Sequence, residues 1–236
     1  MRLLVLDTAT AATVAGVQDE RGNVFEARHD PGPQERPGHG ARVLELAFAA
    51  LADAGMELAG VARIGVGVGP GSFTGLRIGV ATARALAQGH GAELVGLSTL
   101  RGLAEGAAPD YGGRRVLAVL DARRGEAFAA AWDDGEQLLT PAALAPAGLA
   151  AAVRALGRSP LAVGEGALRF RAQIEPAGAV VPPDDDPVHR ISASAMCRLA
   201  AAAEPGGREA VLPDYLRLPD AEITRQREFP WPPPTH

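Results

Sequence analysis

The stretch from Arg63 to Gln88 reads R-I-G-V-G-V-G-P-G-S-F-T-G-L-R-I-G-V-A-T-A-R-A-L-A-Q. Ile64, Val66 and Val68 alternate with glycine, the pattern of a short buried strand. Gly67, Gly69 and Gly71 around Pro70 then turn the chain, since glycine permits positive φ and proline holds φ near −65°. Ser72 is placed to cap a helix over Phe73–Gln88. One side of that helix carries only Gly75, Gly79, Ala83 and Ala87, at i, i+4 spacing. A strip with so little side chain admits another backbone, either that of its own sheet or that of a partner. The turn also brings unpaired helix N–H groups to one point, where an anion can sit. The familiar phosphate motifs do not fit, however. A P-loop needs Gly-Lys-Ser/Thr, and the chain contains no lysine. G-x-G-x-x-G from Gly67 meets Ser72 at its third glycine, and G-x-S-x-G around Ser72 meets Pro70 and Thr74.

Working outward, the same reading finds the order of elements twice. Strands are expected at 2–7, Thr13–Asp19 and Val24–Arg28, and a helix over His39–Ala54 with Val43, Leu44, Ala47, Phe48 and Leu51 as its apolar set. The strand–glycine–helix unit follows, then a strand at Glu93–Gly96 and a helix over Thr99–Gly106 capped by Ser98. The series restarts with strands at Arg115–Asp121, Glu126–Trp132 and Glu136–Leu139 and a helix over Pro146–Leu156. Leu161–Val163 reads as a strand, Leu168–Ile174 as a short helix, Ala179–Val181 as a last strand and Ser192–Ala203 as a last helix. The fold class is therefore α/β, a duplicated β-β-β-α-β-α series. Two subdomains, 1–108 and 109–218, flank a cleft and precede an extended Pro-rich tail at 219–236.

Leu3-Leu4-Val5-Leu6-Asp7 heads the first series and Leu117-Ala118-Val119-Leu120-Asp121 the second. Two such halves related by a pseudo-twofold bring both aspartates to one cleft. There they can hold a hydrated magnesium ion on a nucleotide, with Thr8 and Arg77 as further cleft candidates. The alternative is that each aspartate only closes its own turn on backbone N–H groups. Thr8-Ala9-Thr10 after Asp7 offers no glycine for a phosphate to approach.

Composition narrows the classes. Of 236 residues 47% are hydrophobic and mean hydropathy is +0.04, enough for a large core. No long apolar run spans a membrane, and the N-terminus reads as a strand rather than a targeting segment. The single cysteine, Cys197, excludes an internal disulfide, fits a cytoplasmic location and reads as core. A net charge of −5 with 4% aromatics argues against autonomous RNA binding. His29 and His39 stand ten apart without metal-ligand spacing, so no metal site is expected.

Four motifs, L-V-L-D-T-A-T at the start, G-P-G-S-F-T-G-L-R-I-G at 69–79, V-L-D-A-R-R-G-E at 119–126 and P-D-Y-L-R at 213–217, closely resemble the bacterial TsaB (YeaZ) family. The resemblance implies the ASKHA fold of actin and Hsp70. It implies a non-catalytic subunit that pairs with the threonylcarbamoyltransferase TsaD, joined by the ATPase TsaE. That machinery forms N6-threonylcarbamoyladenosine at position 37 of tRNA, which the subunit meets only through the complex. Without TsaD the same face pairs the chain with itself. The implied face is the two helices at 39–54 and 73–88, with Val43, Leu44, Ser72, Phe73, Gly75, Leu76, Gly79, Val80 and Ala83 as contact residues. No cofactor is implied for the chain alone; a nucleotide at the TsaD junction, within reach of Arg77, is the one candidate. The histidine pair that holds the metal in TsaD is missing at His39 and Val43, so the label glycoprotease-like has no chemical support. The competing reading is an ASKHA ATPase or phosphotransferase that uses Asp7 and Asp121.

Overall fold

The structure, a computed structural model, describes residues 1–32, 34–107 and 113–216. The chain opens on an antiparallel meander of β1 (Leu3–Asp7), β2 (Thr13–Gln18) and β3 (Val24–His29). Helix α1 (His39–Asp53) leads to β4 (Arg63–Gly69), parallel to β1, then α2 (Phe73–His90), β5 (Glu93–Ser98) and α3 (Thr99–Ala107). The first sheet is ordered β3-β2-β1-β4-β5. The second half repeats the path with β6 (Val116–Arg123), β7 (Glu126–Asp133), β8 (Glu136–Leu144), α4 (Pro146–Leu156) and β9 (Leu161–Val163). Its sheet is ordered β8-β7-β6-β9, so β6 occupies the place of β1 and β9 that of β4. Short helices α5 (Glu165–Arg169) and α6 (Arg171–Ile174) and a final α7 (Ala193–Ala202) complete it.

Three expectations in the second half need correction. Ala179–Val181 is not a strand; Val180 makes a single parallel bridge to Leu161 before Pro182 and Pro183, which have no N–H to continue a ladder. The helix expected over 168–174 starts earlier, at Glu165, because Gly164 at φ 99 turns the chain straight out of β9, and it breaks at Phe170. Strand β8 runs past Leu139 to Leu144, carrying Pro141 on the sheet edge, where a missing donor is tolerated. The subdomain boundary set between 108 and 109 and the tail assigned to 219–236 lie outside the described residues.

The layers follow from strand alternation. Leu4 and Leu6 of β1 face α1 and α2, whereas Leu3 and Val5 face α3 and α7. In β6, Leu117 and Val119 face the outer helices α4 to α6, while Val116, Ala118 and Leu120 join the same central layer as Leu3 and Val5. Both strands are covered on two faces, which is why they read as continuous apolar runs. Cys197 lies in the central layer, and burial pushes its thiol up to about 12. Arg63 of β4 donates to the carbonyls of Ala200 (2.7 Å) and Ala203 (2.8 Å) at the end of α7, tying the first half to the last helix of the second.

Candidate functional site

The small-residue strip of α2 is filled by the chain itself. A Cβ on Gly75 would lie 2.0 Å from the carbonyl oxygen of Thr8, and one on Gly79 would lie 2.4 Å from Thr8 Oγ1. That hydroxyl donates to the Gly75 carbonyl at 2.7 Å. One turn earlier, Ser72 N–H donates to the carbonyl of Ala9, and Ser72 Oγ accepts from Gly75 N–H as the helix cap. The residues alone left two occupants open and the resemblance assigned the strip to a partner; at Gly75 and Gly79 it is the chain's own Thr8 that holds the place. Leu76 of α2 is likewise buried, and Val80 and Ala83 of α2 and Val43 of α1 lie in the core of the first sheet. Gly75, Leu76, Gly79, Val80, Ala83 and Val43 therefore support the helix pair from beneath.

What the helices present outward is different. On α1 the inward stripe is Val43, Ala47, Ala50 and Leu51. Leu44 and Phe48, one residue further round and one turn apart, are 42% and 52% exposed. Phe48 belongs to the helix's apolar set by sequence, yet nothing there marked it as a surface residue. The available signal was an apolar stripe wider than one sheet face needs. Among the sequence candidates for a contact face, Leu44, Ser72 and Phe73 are the accessible ones.

Between the halves lies a cavity of about 390 Å³, walled by Thr10, Ser72, Phe73, Asp121, Glu165 and Tyr215 among others. Of the four residues assigned to a nucleotide cleft, only Asp121 is on its wall. Asp7 is fully enclosed: its Oδ1 accepts from Ala9 N–H (2.9 Å), its Oδ2 from Thr99 Oγ1 (3.3 Å), and a Cβ on Gly67 would fall 1.9 Å from Oδ2. Burial pushes its carboxyl up to about 6 against those hydrogen bonds. Thr8 is turned into α2, and Arg77 projects further along α2, its Nε donating to Tyr215 Oη at 3.0 Å. Asp121 closes the equivalent turn, accepting from Arg123 N–H at 2.9 Å, but its other oxygen pairs with Arg169 at 2.7 Å. Glu165 opens onto the same cleft, where desolvation and the neighbouring Asp121 charge raise its pKa. His39 is buried at the start of α1 with Nδ1 2.8 Å from Thr13 Oγ1. Among the described residues no group of three or more His, Cys, Asp or Glu side chains is arranged to hold a metal ion. None of the helices described there is long and apolar enough to cross a membrane.

A family model described as TsaD, tRNA N6-adenosine threonylcarbamoyltransferase, matches residues 35–155, just over half of the chain. The tRNA threonylcarbamoyladenosine biosynthesis protein TsaB of Escherichia coli is 38% identical over 136 residues, 58% of this chain and 57% of that protein. The match thus spans little more than half the length of that curated relative. YeaZ from Pseudomonas aeruginosa superimposes with a TM-score of 0.75 at 27% identity, covering 91% of this chain and 99% of that one. A ROK hexokinase from Thermus thermophilus shares the fold alone, with a TM-score of 0.52 at 14% identity over 85% of this chain and 99% of that one. The duplicated sheets with β1 and β6 at equivalent places are the ASKHA arrangement of such proteins. By its motifs, its fold and these relatives, the chain belongs to the TsaB (YeaZ) family.

Proposed function

We propose that this protein serves threonylcarbamoyladenosine formation on tRNA as a non-catalytic subunit that pairs with TsaD, with TsaE joining the pair. The docking surface is the outward face of α1 and α2. The observation that carries this reading is the exposure of Leu44 and Phe48, two large apolar side chains one turn apart on a helix whose opposite face is already fully packed. Apolar side chains in that setting contribute to affinity when a partner removes them from water, about 1.5–3 kcal/mol for each one fully buried. The glycine packing under α2 supports it, because a rigid helix loses little entropy on docking. The state of the two aspartates supports the absence of catalysis: Asp7 is enclosed, and Asp121 is held by Arg169. In the absence of TsaD the same apolar pair meets a second copy of the chain.

The test is co-purification with the TsaD of the same organism, read by light scattering. The expected result is a heterodimer that replaces the free species, and its loss in Phe48→Asp with an unchanged circular dichroism spectrum. A Phe48→Asp chain that still co-elutes with TsaD would remove α1 from the interface. Magnesium-dependent heat on titrating ATP into the isolated chain would instead favour the phosphotransferase reading.

A further inference from the structure

After α7 the chain returns to the first half as a strap over 207–216, which carries four residues of the P-D-Y-L-R motif. Asp214 N–H donates to the carbonyl of Val68 at 2.7 Å, and Val211 is buried in the core of the first sheet. Between this strap and the flank of α2 lies an open groove of about 550 Å³. Its floor and far wall are apolar: Val80, Ala81, Pro213 and the ring of Tyr215. Two guanidinium groups a heptad apart, Arg77 and Arg84, reach into it. Among the described residues that line the groove none is a carboxylate, on a chain whose net charge is −5.

The two arginines are set differently. Arg77 is held in place: its guanidinium lies 3.9 Å over the Phe73 ring, its Nε donates to Tyr215 Oη, and Tyr215 itself packs on Phe73 at 4.9 Å. Stacking and one hydrogen bond fix the plane and leave the two terminal nitrogens as a fork, the geometry that takes a carboxylate in two parallel bonds. Among the described residues no carboxylate meets that fork. Arg84 does have one, Glu209 of the strap, whose side chain is 94% exposed. An ion pair so open to solvent contributes little and exchanges readily.

We infer that the groove between α2 and the strap is a docking slot for an acidic segment of a partner protein, with one carboxylate on Arg77 and a second displacing Glu209 from Arg84. The inference rests on the partner reading above for the identity of the occupant, but not for the chemistry of the slot. The apolar floor seats the segment's aliphatic stems, and the arginine pair sets its register. Glu209 acts as an internal stand-in that the partner must replace.

Two measurements decide it. In the first, a short polyglutamate peptide is titrated into the labelled full chain while the arginine Nε–H resonances are followed. Shifts are expected at Arg77 and Arg84 and not at Arg21 or Arg154. Removal of the internal competitor by Glu209→Gln is expected to tighten binding, a gain that a structural role for Glu209 would not produce. Shifts spread evenly over all exposed arginines, or none at Arg77 and Arg84, would overturn the slot. In the second, the Arg77→Gln/Arg84→Gln chain is expected to bind TsaD roughly tenfold more weakly and with a shallower salt dependence. Affinity equal to wild type, while Phe48→Asp abolishes binding, would overturn the slot's part in docking and leave the α1 face standing. Failure of the wild-type chain to bind TsaD would remove the partner, and the peptide titration would then decide the slot by itself.

Discussion

Asp7 and Asp121 hold equivalent places toward the C-terminal ends of β1 and β6, and each accepts from the backbone N–H two residues on at 2.9 Å. The turn is the same, and the surroundings are opposite. Asp7 is 1% exposed, faces a threonine hydroxyl and a glycine that exists to make room for it, and meets no cation among the described residues. Asp121 opens onto the cleft and is paired with Arg169 and, at 3.6 Å, Arg123. Duplication thus reproduced a backbone device without reproducing its chemistry. A carboxylate at this place in the fold is first a turn-closer, and what else it does depends on residues from distant parts of the chain.

The comparison extends to the helix that follows in each half. Gly75 of α2 sits on the Thr8 carbonyl. In α5 a Cβ on Gly166 would lie 2.7 Å from the carbonyl carbon of Leu120 in β6. Alanine at either place forces backbone against backbone, so Gly75→Ala and Gly166→Ala should each cost roughly 4 kcal/mol or prevent folding. Urea unfolding checks this, and a tolerated Gly166→Ala would break the equivalence of the two sites.

Asp7→Asn should work in the opposite direction. A carboxyl raised from 3.8 to about 6 holds its proton more tightly folded than unfolded. The contribution of Asp7 to stability is therefore fully present below pH 4 and is lost as the pH rises from 4 through 6, by about 3 kcal/mol at most. The asparagine variant makes no such loss. It should melt higher than wild type at pH 8, with the advantage shrinking toward pH 4, as measured by thermal unfolding across that range. An advantage independent of pH would mean that Asp7 is ionised at no cost in the fold.

The smallest effect belongs to the second site. The Arg169 side chain is half exposed, so Arg169→Met or Asp121→Asn should shift stability by no more than about 1 kcal/mol. A larger change in chemical denaturation would place Asp121 on a footing with Asp7.

Much of this architecture could be read directly. Apolar runs bounded by glycine turns located the strands, and the repeated valine–leucine–aspartate ending marked the duplication. What could not be read was the direction of close contact. Small residues at Gly75 and Gly79 announce that something comes near, and the same pattern serves a partner helix or the chain's own Thr8. The fates of the two aspartates were equally hidden. Thr99 stands 92 residues from Asp7, and Arg169 stands 48 from Asp121, so no local pattern connects them. Phe48 was visible as a helical apolar residue, but only the packed structure separates the stripe facing the sheet from the residue left over.

The central layer has a consequence for how the molecule comes apart. Helix α3 belongs to the first half but packs mainly on β6 and β7, while α7 belongs to the second and packs on β1 and β2. Arg63 then fastens the end of α7 from the first sheet. Each half lends the other a helix, so neither owns a complete interior. Cut apart near the join, the halves would each expose a sheet face that the intact chain never shows to water. The protein should accordingly melt as one cooperative unit in calorimetry, with a single transition where a two-lobed outline suggests two.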